Sequence, residues 1–160
     1  LFRSSAASDV YKRQSQIPWG VLLLFGGGIC LARAFVASGL SAQVGDALTA
    51  VAALPVFAMM LLLALAVTFL TEATSNTATT ALLMPVLAAV ALAVEIDPLW
   101  LMVPAAMSAS CAFMLPVATA PNAVVFGSGE LPIRRMVREG FALNLIGALL
   151  IATVAWVLLT

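Results

Sequence analysis

Thr71-Glu72-Ala73-Thr74-Ser75-Asn76-Thr77-Ala78-Thr79-Thr80 is a polar patch between two apolar runs, Pro55 to Leu70 and Ala81 to Val94. Six of its ten residues are Ser or Thr, one is Asn and one is Glu, leaving only Ala73 and Ala78 apolar. The flanking runs read as helices, so the patch interrupts an apolar helical stretch. If both runs cross a bilayer, the patch is a cytoplasmic loop. If they enter and return, it is the tip of a re-entrant hairpin. The charge rule places the flanks identically in both cases. The hydroxyl- and amide-rich composition, with no Lys or Arg, favours the hairpin, because irregular backbone is tolerated at membrane depth where it lines a protein cavity.

Composition supplies the membrane. Of 160 residues, 64% are hydrophobic and 9% charged, and mean hydropathy is +1.16. A soluble domain is about 45–50% apolar and about 25% charged, so a soluble globular domain and a disordered chain are both excluded. At about 20 residues per crossing the length allows roughly five spans, small for a complete solute transporter. Lys+Arg and Asp+Glu are 7 each, so the net charge is zero and a nucleic-acid partner is not expected. The absence of His removes His triads, His metal sites and His proton relays. Cys30 and Cys111 lie in apolar runs and read as small buried hydrophobes. With no Gly-x-Ser-x-Gly and no metal cluster, nothing points to an enzyme.

Outward from the patch, the chain divides at its polar and proline-containing stretches. Residues 1–14 are polar, and SSAASDVYKRQ within them resembles translated adapter read-through. They are set apart from the fold, and on that expectation the chain is the C-terminal part of a longer protein. A first span covers 18–37, with Trp19 suited to an interface and Gly26, Gly27 and Gly28 marking close helix packing or a local break. Residues 39–54 are small and mixed, as in an interfacial helix. The hairpin occupies 55–94, and Glu95-Ile96-Asp97-Pro98 is a turn in which Pro98 starts the next helix. A span over 99–126 is broken near Thr119, where Pro121 removes a backbone donor. Arg134, Arg135 and Arg138 form a cytoplasmic loop or interfacial segment ahead of the last span, 140–160.

Each break leaves helix ends inside the bilayer. Ser75 or Asn76 is a good N-cap, and Pro121 suits the first helical position of a short half-helix. Two helix N-termini converging at mid-membrane suit an anion without a buried Lys or Arg. Carbonyls near Thr71–Thr74 and Val117–Ala118, with neighbouring hydroxyls, suit a hard cation such as Na+. Discontinuous helices of this kind are typical of secondary transporters. Glu72 is the only acid in the region. It is either functional, as intramembrane acids often are, or a structural partner for Arg33 or a backbone group.

Thr74-Ser75-Asn76-Thr77-Ala78-Thr79-Thr80 resembles the Ser-Asn-Thr signature of the divalent anion:sodium symporter family, the solute carrier 13 or dicarboxylate transporter group. The longer stretch Ser110 to Val125 (SCAFMLPVATAPNAVV) resembles that family's second signature, and the likeness extends over Pro18–Arg33 and the last span. It implies an all-α integral membrane fold, the second of two inverted repeats in an ion-transporter-like architecture, with the re-entrant hairpin and the broken helix. It further implies substrate contacts from Ser75, Asn76, Thr77, Thr119, Ala120, Pro121 and Asn122, and Na+ ligands from Thr71, Thr74, Asn76 and Ala118. Many relatives carry Pro-Pro-Asn where this chain has Ala120-Pro121-Asn122, which bears on pocket shape. The implied function is sodium-coupled symport of small dicarboxylates across a bacterial inner membrane. The implied partners are lipid, an N-terminal repeat and, at full length, a second copy forming a homodimer. Rival readings are a dicarboxylate exchanger, a sulfate or other anion carrier, and a non-transporting membrane subunit.

Overall fold

Prolines and the polar patch set the helix ends. The computed structural model describes residues 19–40, 43 and 54–160. Six helices lie among them: α1 Trp19–Ala37, α2 Val56–Thr71, α3 Asn76–Ala93, α4 Leu99–Ser108, α5 Ala120–Gly127 and α6 Ile133–Leu159. No strand occurs among the described residues. Pro55, Pro98 and Pro132 occupy the N-cap positions of α2, α4 and α6, where a missing backbone N–H costs nothing. The α3–α4 turn closes with Ile96 N donating to Ala91 O and Glu95 at φ 58°, while Asp97 Oδ1 accepts from Leu99 N at 2.9 Å. Residues 1–18, 41–42 and 44–53 lie outside the described residues, and with them the segment 1–14, the first residue of the expected span 18–37 and most of the expected interfacial helix 39–54.

Buried residues show how the helices run. Met59 clusters with Val90 and Leu101, whereas Val67 clusters with Ala105, Ala109 and partly buried Leu83. Position numbers thus rise on α2 and α4 as they fall on α3, so α2 and α3 are antiparallel and α4 runs with α2. On α6, Ala152 and Ala155 meet Met60, and Ala148 and Ile151 meet Ala64, so α6 is antiparallel to α2. Edge-on packing of Phe57 against Trp156 and the Phe69–Phe141 pair agree.

The inner stripe of α6 is Met136, Gly140, Asn144, Ala148, Ala152 and Ala155. Ala148, Ala152 and Ala155 on this stripe are small and let the α2 backbone come close. The opposite stripe is apolar and uncovered: Leu143 is 51% exposed, Leu150 60% and Val157 66%. Such a surface belongs in lipid. Two helices, Asn76–Ala93 and Ile133–Leu159, are long and apolar enough to cross a membrane. The 16 residues of α2 and the 10 of α4 reach only about 24 Å and 15 Å at 1.5 Å per residue, short of a hydrocarbon core of about 30 Å.

Two expected segments differ. The span over 99–126 is not a helix nicked near Thr119: α4 stops at Ser108, and the chain is non-helical through Thr119 before α5 begins. Val117 and Ala118 therefore do not end a helical limb. The backbone N–H groups of that stretch are satisfied elsewhere, as described below. The last helix begins at Ile133 rather than 140, because Pro132 starts it early, so Arg134, Arg135 and Arg138 lie exposed on its first turns.

Of the three neighbouring glycines in α1, Gly28 alone makes a close contact. A Cβ there would lie 2.6 Å from Ala81 O, whereas at Gly26 and Gly27 it would meet nothing within 4 Å. Helix α1 is unbroken, so close packing is the correct alternative. Gly28→Ala forces α1 away from α3 and is expected to cost about 1–3 kcal/mol. Gly27→Ala gains helix propensity without a clash and serves as the control. Thermal melting of the full-length protein should separate the two variants by several degrees, and equal melting would contradict the contact.

Candidate functional site

Helix α2 ends at Thr71 and α3 begins at Asn76, with Glu72–Ser75 between them. Ser75 is the N-cap, extended at φ −68° and ψ 131°, and its side chain makes no capping bond. The first intrahelical donor is Thr79 N, to Ser75 O. The amides of Asn76, Thr77 and Ala78 thus lack a helical acceptor. Thr119 caps α5 in the same extended conformation, and its hydroxyl accepts from Asn122 N at 3.3 Å. Pro121 is in the first turn, one place later than expected. Both N-termini open on one cavity of about 420 Å³, walled by residues 72–77 on one side and 117–120 on the other. Among the described residues no Lys or Arg lines it, and Glu72 is its one charged lining residue. Helix ends and free amides contribute positive potential there.

Glu72 ties the two walls together. The residue is 5% exposed. Oε1 accepts from Phe113 N at 2.7 Å, Met114 N at 2.9 Å and Asn144 Nδ2 at 2.7 Å, and Oε2 accepts from Leu115 N at 2.9 Å. Three consecutive amides that would otherwise continue α4 turn toward one carboxylate, which is why that helix ends early. Asn122 holds the loop from the other side, its Nδ2 donating to Ala112 O at 2.9 Å and Leu115 O at 3.0 Å. Gly140 lets α6 approach, since a Cβ there would collide with Phe113 O. Of the alternatives for Glu72, the backbone partner is the one found. Arg33 is exposed and lines an apolar groove between α1 and α3.

Seven of the ten residues expected at the site, Thr74, Ser75, Asn76, Thr77, Ala118, Thr119 and Ala120, line the cavity. Pro121 and Asn122 do not, and Asn122 spends its amide on the loop. Thr71 lies beneath, fully buried, its Oγ1 2.7 Å from Asn76 Oδ1 and 2.8 Å from Ala109 O. Its one proton serves only one of them, which leaves either Asn76 Oδ1 or Ala109 O without that donor. Thr74 Oγ1 donates to Leu70 O, so Thr79 is the donor in their 2.6 Å contact. A smaller cavity of about 280 Å³ lies on the far side of Asn76 and Thr77, bounded by Thr80, Ala81 and Ser110. The sequence reading missed the Ala109 carbonyl, the Asn144 amide and the close approach at Gly140. An Asn and a Gly four positions apart on one face of an apolar helix were the available signal.

Residues 8–160 match the family model described as the sodium:sulfate symporter transmembrane region. The match begins within the segment 1–14 set apart above. The chain belongs to the divalent anion:sodium symporter family. It is 47% identical over 142 residues to a sodium-dependent dicarboxylate transporter of Staphylococcus saprophyticus, covering 89% of this chain and 27% of that protein. It is 50% identical over 136 residues to mouse solute carrier family 13 member 2, covering 85% and 23%. The Staphylococcus aureus dicarboxylate transporter is 46% identical over 141 residues, covering 88% and 27%. The chain spans about a quarter of the length of these curated relatives. Members of this symporter family are transporters rather than enzymes, and an integral membrane protein fits the lipid-facing stripe of α6.

Proposed function

We propose that the protein carrying this chain is a sodium-coupled symporter of small dicarboxylates in the plasma membrane of a bacterium. The observation that carries the reading is the convergence of two helix N-termini on one cavity that holds no basic side chain. A dianion there has its charge met by free amides and helix dipoles in part, and co-bound cations supply the rest. Thr71 Oγ1, Asn76 Oδ1 and Ala109 O, gathered behind the cavity, support a hard-cation position, to which Thr74 and the Ala118 carbonyl add oxygens. Ser75, Asn76, Thr77, Thr119 and Ala120 face the substrate, while Pro121 and Asn122 set the shape of their loop. The short α2 and the polar turn support a re-entrant hairpin in the second inverted repeat. An N-terminal repeat would complete the site and a homodimer would be the working unit.

The test is uptake of labelled succinate by the full-length protein in proteoliposomes under an inward Na+ gradient. Absence of uptake, or uptake indifferent to Na+, sinks the reading. Asn76→Ala is expected to reduce uptake at least a hundredfold, since it removes a substrate contact and a cation oxygen together at about 1.4 kcal/mol per tenfold. A second reading, sulfate as cargo, is favoured by the description of the matching family model. Sulfate that competes with succinate only at far higher concentration would dismiss it.

A further inference from the structure

Among the described residues, three buried side-chain oxygens have no hydrogen-bond partner: Thr68 Oγ1, Ser108 Oγ and Asn144 Oδ1, each on a residue with 0% exposure. Buried polar atoms are almost always paired, and an exception asks for an explanation such as a bound water or ion. Two other helical hydroxyls, Thr80 and Thr153, bond the carbonyl one turn back. Thr68 and Ser108 make no such bond. Asn144 cannot be turned over, because its Nδ2 donates to Glu72 Oε1 and a reversed amide would set oxygen against the carboxylate. Its Oδ1 therefore faces away from Glu72.

Neighbouring contacts place the three residues at about one level of the bundle. Ala64 packs on Ala148 and Glu72 bonds Asn144. Thr68 is one turn from both Ala64 and Glu72 on the same face of α2, so it faces the turn of α6 that carries Asn144. Ser108 adjoins Ala109, which packs with Ala105 on Val67, and α4 touches both α2 and α6. One turn away the Glu72 carboxylate is buried without an ion-pair partner among the described residues. A buried charge is ordinarily compensated.

We propose that Thr68 Oγ1, Ser108 Oγ and Asn144 Oδ1 bind a sodium-sized monovalent cation between α2, α4 and α6, separate from the cation position behind Asn76. Hydroxyl and amide oxygens are the ligands a hard cation takes, and the Glu72 charge, passed on through the Asn144 amide, favours a cation over water. The inference rests on the sodium-coupled reading for its function, and its test separates the two.

The full-length protein is melted in NaCl and in choline chloride at equal ionic strength, without dicarboxylate, as wild type, Thr68→Val and Ser108→Ala. Both variants remove an unpaired oxygen and are expected to melt in choline at or above the wild-type temperature. In NaCl both should lose part of the Na+-induced rise. In proteoliposomes the Na+ concentration giving half-maximal succinate uptake should rise about tenfold, while half-saturation by succinate at saturating Na+ stays within about twofold. A full Na+-induced rise in both variants overturns the proposal. If wild type shows no Na+-dependent uptake, the transport reading fails. A Na+-specific rise in melting that the variants lose still supports the cation site.

Discussion

Glu72→Gln is expected to abolish succinate uptake and lower the melting temperature of the full-length protein. Glutamine keeps one oxygen where the carboxylate has two. If that oxygen takes the place of Oε1, the new NH2 faces Leu115 N. If it takes the place of Oε2, the NH2 faces Phe113 N, Met114 N and Asn144 Nδ2. Either arrangement sets donor against donor in a buried place. Losing a charge-assisted hydrogen bond and stranding its partner costs about 3 kcal/mol or more. The loop then loses its anchor on the hairpin, and the cavity wall at 117–120 shifts with it. Uptake below about a hundredth of wild type is the outcome looked for, in the range that 3 kcal/mol implies. Wild-type melting and uptake in Glu72→Gln would show that the carboxylate does not brace the site.

The second large effect belongs to Gly140→Ala. The added methyl would collide with Phe113 O and lie 2.6 Å from its carbonyl carbon and 2.7 Å from Met114 Cα. All three are backbone atoms, so no side chain can rotate away. Either α6 or the loop must move, at a cost at or above the upper end of the usual 1–3 kcal/mol for overpacking. Gly147→Ala on the same helix is the control, because its nearest neighbour is Cys111 Sγ at 4.0 Å. Uptake should fall at least tenfold in the first and hold in the second. Glu72→Gln and Gly140→Ala disturb one loop, so the double variant should lose less than the sum of the two. Strict additivity in melting would mean that the two residues act on different parts of the molecule.

The sequence made the helical membrane class, the two interruptions and most of the cavity-lining residues legible, because each leaves a local mark. Apolar runs, a hydroxyl-rich patch and Ala-Pro-Asn are all visible without a partner. The extent of the second interruption was not legible. Cys111-Ala112-Phe113-Met114-Leu115 is as apolar as a transmembrane helix, and hydropathy cannot tell a helix from a loop whose amides bond a carboxylate about forty residues away. The same distance explains why Glu72 stayed ambiguous between a functional acid and a backbone partner. Arg134, Arg135 and Arg138 read as a loop because they are charged, yet Pro132 is the stronger local signal and starts α6 ahead of them.

The four bonds to Glu72 also bear on the order in which the chain is made. The donors at Phe113, Met114 and Leu115 follow it by 41 to 43 residues, and Asn144 by 72. A ribosome working at about 5–20 residues per second delivers the last of them several seconds after the acid has emerged. Until then the turn between α2 and α3 carries a carboxylate that none of its final partners satisfies, and an acid at membrane depth is costly to insert. The hairpin therefore has reason to wait at the bilayer surface, or inside the insertion machinery, until α4 and α6 arrive. Truncating a nascent chain between Leu115 and Asn144 would leave one of the four donors unmade.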